Sequence, residues 1–215
     1  MTSKFGAISV TLNDSNAKIS KRIFEILSIQ INKAILKNRA KALRILKVAV
    51  KDWLQKSPEI SSLLSQGAPN SLNALFGLPP GASNSAVDSI INAVAESVEI
   101  KISKVSSNFT GEVLFNFQEN SLGNLIGLPE GHQGTEFGED LHWLDWLITK
   151  GDTIIVKGFA YEPSKEGRSG GGTMTVGGSF RVPPEHAGVI GSNFITRAFE
   201  GKEKDISNVL TQLLV

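Results

Sequence analysis

Six side chains able to bind a metal or move a proton lie close together in the sequence: His132, Glu136, Glu139, Asp140, His142 and Asp145. Imidazole and carboxylate are the donors zinc prefers when no thiolate is present, and the same pair performs general acid–base work. Their spacing matches no zinc signature. A helix over 139–150 would put His142 on a face with Trp146 and Asp145 on a face with Leu141, scattering the ligands around the axis. The carboxylates then read as a solvated loop and an acidic helix start that favours the helix dipole. The rest of the catalytic inventory is thin. The chain of 215 residues has no cysteine, one tyrosine (Tyr161) and one further histidine, His186. Disulfides, thiolate metal sites and cysteine nucleophiles are therefore excluded. No Ser/His/Asp set and no carboxylate pair stands out, so no enzymatic activity, metal or cofactor is expected.

Two other groups carry chemistry of a different kind. Lys33, Lys37, Lys41, Arg44, Lys47 and Lys51 advance by four, four, three, three and four residues. At helical spacing they form one cationic stripe over roughly 27 Å. Such a line could follow a phosphate backbone or meet an acidic protein surface. Net charge is only +1, but Lys18 to Lys56 holds eleven basic and two acidic residues, leaving eleven basic and nineteen acidic elsewhere. That separation favours acidic protein surface, with Glu136, Glu139, Asp140 and Asp145 as expected partners across a subunit boundary. The second group is the loop EPSKEGRSGGG, residues 162–172, with Lys165, Gly167, Arg168, Gly170 and Gly171. It lacks the phosphate-cradle motif and opens no helix. Its small residues bury little, so it is expected to be an exposed contact arm that orders on assembly.

The elements that would position these groups can be read from periodicity. Residues 15–56 predict one long helix, stopped by Pro58 and about 60 Å long. Ile19, Ile23, Leu27, Ile31 and Ile35 form its apolar row, continued by Ala42, Ile45, Leu46, Ala49 and Trp53. A break near Asn38 is the alternative. A loop zone at 65–85 and a helix over 86–96 follow, with Ser83 or Ser85 as N-cap. Alternation of Val98, Ile100 and Ile102 with Val113, Phe115 and Phe117 predicts a β-hairpin. After the helix at 139–150, residues 153–161 and 173–182 predict two strands. A last helix starts at Ser192 or Asn193, weakened at Gly201. The expected fold is α+β: a long N-terminal helix, a small, mostly antiparallel sheet and a C-terminal helix. Residues 1–64 are expected as an N-terminal segment and 65–215 as the body. SLNALFGLPPG (71–81) and SLGNLIGLPEG (121–131) echo each other, and read as two helical turns each ended by glycine. The N-terminus lacks the apolar run of a signal peptide, and no segment is apolar enough to span a membrane.

Four segments taken together resemble a known group: WLDWLITKGDTI (143–154), GRSGG (167–171), FRVPPEHAG (180–188) and NFITRA (193–198). In this order, behind a long basic helix and a small sheet, they resemble neck and tail-completion (head-tail joining) virion proteins of tailed bacteriophages. The resemblance implies a structural ring subunit between portal and tail that forms part of the DNA channel, without catalysis. It implies a homo-oligomer, six or twelve copies being expected, and other neck, portal and tail proteins as partners. DNA would pass nearby without specific recognition. The expected location is the virion, and the host cytoplasm during assembly, with no membrane. The alternative reading is a nucleic-acid-binding protein that uses the basic helix. A third is a hydrolase built on the histidine and carboxylate cluster.

Overall fold

The structure is a computed structural model that describes residues 14–117, 121–134 and 140–214. Helix α1 spans Asn16–Gln55 without interruption, so there is no break at Asn38. Ser15 caps its start by accepting from the Lys18 amide at 3.3 Å. Pro58 ends α1 and also begins the next helix. Ser57 is extended and accepts from the Ile60 amide, and Pro58 stands at the first position of α2, Pro58–Leu64. Proline is suited to that position because its missing N–H would have no helical partner there.

The loop zone expected at 65–85 contains a short helix, α3 (Leu72–Leu75), capped by Ser71. Helix α4, Ala82–Glu96, starts earlier than the sequence suggests, behind Gly81 in the left-handed region. Ser83 is not its cap: it is buried and receives the Asn73 side-chain amide. Strands β1 (Val98–Ile102) and β2 (Val113–Phe117) form the expected hairpin, with Val98 opposite Phe117, Ile100 opposite Phe115 and Ile102 opposite Val113. Helix α5 (Ser121–Ile126) and a 3-10 turn (Pro129–Gly131) follow. The two copies of the internal echo bury equivalent leucines, Leu72 and Leu75 in one and Leu122 and Leu125 in the other.

Strands β3 (Gln133–Gly134) and β4 (Asp140–Leu141) pair antiparallel. Helix α6 occupies only Trp143–Thr149, because β4 takes the residues before it. Strands β5 (Val156–Glu162) and β6 (Thr173–Phe180) pair antiparallel with an irregularity at 157–159. Instead of one small sheet, the described strands form three separate two-stranded ribbons, all antiparallel. The C-terminal segment is two helices, α7 (Phe194–Phe199) and α8 (Glu203–Thr211). Gly201 lies between them with φ +72°, which ends the first helix. The architecture is α+β, as the sequence patterns indicate.

One hydrophobic core runs from Ile35 to Leu213. It draws on residues either side of the boundary expected at 64, so the second half of α1 belongs to the body. Helix α6 lies inside this core: Trp143, Leu144, Leu147 and Ile148 are all fully buried. Trp143 stacks on Phe76 at 5.4 Å between ring centroids, and its indole N–H donates to the Glu130 carbonyl at 3.0 Å. Phe199 on α7 contacts Trp53, Phe115 and Phe117, joining α1 and the β1–β2 ribbon to the C-terminus.

Candidate functional site

The long helix changes character along its length. Its second half buries Ile35, Ala42, Leu46, Val50, Trp53 and Leu54 against the body. In the first half, Ile23 is 48% exposed, Ile26 59% and Leu27 44%, whereas Ile35 is 2%. The apolar row read from the sequence is thus not one buried stripe. A residue four places on sits about 40° further round the helix, so five residues at that spacing wind through about 160°. Ile23 and Ile26 fall on the side of α1 opposite Ile35, Ala42 and Leu46. The projecting half is braced by the β1–β2 turn on another side. Phe24 meets Phe109 edge-on at 5.1 Å. The Asn32 side chain exchanges two 2.9 Å hydrogen bonds with the Val105 backbone, much as a neighbouring strand would.

The cationic stripe continues the same outward side. Lys33, Lys37, Lys41 and Arg44 are exposed and make no ion pair with any of the described residues. Lys47 and Lys51 turn to α4 of the same chain. Lys47 pairs with Glu96, and Lys51 donates to Asn92 Oδ1 at 2.7 Å. The hydrogen bond from Lys47, and its charge, hold the Glu96 carboxyl below its ordinary range. Of the acidic partners expected from sequence, Asp145 pairs with Lys150 and Asp140 with His132 and His142. Glu136 and Glu139 lie outside the described residues.

The loop at 162–172 differs from the free arm expected. Ser164, Lys165 and Glu166 are exposed, but Ser169, Gly171 and Gly172 are buried against the chain itself. Arg168 donates through Nε to the Gly77 carbonyl at 2.7 Å and through Nη1 to the Gly134 carbonyl at 3.1 Å. Tyr161 donates its hydroxyl proton to the Gly171 carbonyl at 3.0 Å and accepts from the Asn70 amide at 3.2 Å. The glycines allow close packing. A Cβ on Gly171 would sit 2.7 Å from the Ala74 Cβ and 2.9 Å from the Ala68 carbonyl oxygen, and one on Gly172 would overlap the Tyr161 ring. Lys165 and Gly170 stay exposed; Gly167 and Gly171 lie on the docked side, and Arg168 is held there by its two hydrogen bonds.

Three of the six ligands expected to scatter, His132, Asp140 and His142, come together. Gln133 pairs with Leu141 and Gly134 with Asp140, so His132 and His142 are the next opposed positions in register. Side chains two apart on a strand share a face. His132, His142 and Asp140 therefore lie on one face of the β3–β4 ribbon, and Gly134, opposite Asp140, leaves that face open. The His132 Nδ1 is 2.8 Å and the His142 Nε2 3.5 Å from the same oxygen, Asp140 Oδ2. The two imidazole rings are 4.2 Å apart. The hydrogen bond to Asp140 raises the His132 pKa above its ordinary value. His142 precedes α6 rather than lying on it, which is why the helical reading dispersed these residues.

A buried polar group joins distant parts of the chain. Glu59, almost fully buried at the start of α2, receives Arg197 Nη2 at 2.6 Å, and His186 Nδ1 lies 4.0 Å from the same oxygen. Arg197 also donates to the Ala187 carbonyl at 3.3 Å. This cluster ties α2 to α7 and to the segment between β6 and α7.

Among the described residues, no helix is long and apolar enough to cross a membrane. Comparison with known proteins gives no match to a protein-family model, to a curated protein or to a solved structure.

Proposed function

We propose that the chain is a structural subunit of a homo-oligomeric ring in the neck of a tailed phage, joining the portal side to the tail beside the DNA path. The observation that carries this reading is the outward side of α1. Ile23 and Ile26 are more than two-fifths exposed on a helix whose other half is rooted in the core. A rigid lever bearing uncovered apolar residues suits packing on a neighbouring copy, where burial supplies roughly 25 cal/mol per Å². Lys33, Lys37, Lys41 and Arg44 continue that side, and the excess of acidic residues outside Lys18–Lys56 offers a complementary surface on the neighbour. The chain's role in this reading is architectural, with no catalytic step.

Sedimentation of the wild-type chain against Ile23→Asp/Ile26→Asp tests this. The wild type should form a closed species of six or twelve chains and the variant a folded monomer. A wild-type monomer, or a variant that assembles normally, contradicts it. The second reading, nucleic-acid binding, is favoured by the absence of ion pairs at Lys33, Lys37, Lys41 and Arg44 among the described residues. Under it, duplex DNA affinity would fall steeply with salt, and Lys37→Glu/Lys41→Glu would flatten that dependence.

A further inference from the structure

The cluster on the β3–β4 ribbon brings three metal-capable ligand atoms to one place. The His132 Nε2 lies 3.3 Å from the Ile126 carbonyl oxygen, which can only accept. With Nε2–H donating there, Nδ1 is the ring atom left to ligate a metal. The His132 Nδ1 faces the Asp140 carboxylate at 2.8 Å, a contact that a proton bridges in the free chain and a metal ion can take over. The His142 Nε2 approaches the same oxygen from a second direction at 3.5 Å. The three ligand atoms all lie within 4.8 Å of one another. Around a tetrahedral ion with bonds of ~2.1 Å, donors stand ~3.4 Å apart. His142 is half exposed, so its ring is free to rotate into that geometry.

We propose that His132 Nδ1, Asp140 and His142 Nε2 bind a divalent transition-metal ion of the zinc class. Two imidazoles and one carboxylate select such ions over Mg²⁺ and Ca²⁺, which take oxygen ligands. The Ile126 carbonyl holding the Nε2 proton of His132 is the outer partner that fixes the tautomer of a ligating histidine. Water supplies the remaining positions, since Asp140 and His142 face solvent. Bound there, the ion joins the two ends of the ribbon, next to the carbonyl of Gly134 that Arg168 holds. The site does not depend on the assembly proposed above.

The chain contains only three histidines, so imidazole proton resonances of the untagged full chain report directly on the site. At pH 7.5, one equivalent of Zn²⁺ should shift the His132 and His142 signals and leave His186 in place. A hundredfold excess of Mg²⁺ should shift none. In calorimetry, His142→Ala should weaken Zn²⁺ binding by at least about 30-fold. The proposal is overturned if no histidine responds at one equivalent, as when the cluster only shares a proton. It is equally overturned if all three respond alike, if binding needs millimolar Zn²⁺, or if His132→Ala/His142→Ala retains it. Should a variant fail to fold, the wild-type resonances still decide.

Discussion

The two halves of α1 should respond oppositely to truncation. Leu46 is fully buried in the core, whereas Ile26 is 59% exposed. Leu46→Ala removes buried methyl groups and leaves a cavity between α1 and the body. Such substitutions cost about 3–5 kcal/mol. For a chain of this size, each kcal/mol lowers Tm by about 2–4 °C, so Leu46→Ala should melt about 6–20 °C below the wild type. Ile26→Ala removes atoms that already face water. In dilute protein it should change stability by no more than about 0.5 kcal/mol, with alanine's better helix propensity offsetting part of any loss. Calorimetry across a range of concentrations separates the two effects. At high concentration the wild-type Tm should rise, because assembly stabilises the folded chain by mass action, and Ile26→Ala should rise less. If Ile26→Ala costs as much as Leu46→Ala in dilute protein, the outward side of α1 is packed within the single chain and the reasoning is wrong.

Three further outcomes are expected. Gly171→Val should destabilise by about 1–3 kcal/mol through overpacking on Ala74 and Ala68, read by chemical denaturation; a neutral result would mean the loop is not docked. Arg168→Ala should leave the fold intact but speed hydrogen exchange around the Gly134 and Gly77 segments that its guanidinium joins; unchanged exchange at both would refute the bridging role. Glu59 gives a pH dependence. Burial alone would raise its pKa, but His186 and Arg197 outweigh burial and hold it below the usual carboxylate range. Its stabilisation is therefore present above the unfolded value of ~4.3 and lost as pH falls through the lower folded value. The stability gap between wild type and Glu59→Gln should shrink on acidification from pH 7 to below 4, and a gap that stays constant would count against the ion pair.

The local elements were legible wherever one periodicity ruled a segment. The alternation in 98–102 and 113–117 indicates the β1–β2 hairpin, and the structure adds its register. Asn193 is the cap of α7, with Thr196 completing a capping box. The features that periodicity does not indicate share a cause: each depends on a contact between segments. The row of isoleucines in α1 is regular in sequence, but only the position of the body decides which part of a winding row is covered. The run at 162–172 has the composition of a flexible tip, yet its glycines answer to Tyr161, Ala74 and Ala68, some of them ninety residues or more away. A helical period across 139–142 disperses His132, Asp140 and His142, whereas residues 140–141 are strand. Reading H-x-G and D-x-H as the two arms of a tight ribbon brings both histidines to one face. Pro58 is a stop signal in the sequence, and with Ser57 as N-cap it is also the first position of α2.

The most direct test of the assembly claim is the native mass of the untagged wild-type particle, measured over a range of concentrations and salt. A closed ring of six or twelve 23.1 kDa chains is the expected result, and high salt should loosen it as the contacts of Lys33, Lys37, Lys41 and Arg44 are screened. A species that stays monomeric or dimeric at every concentration would contradict the account.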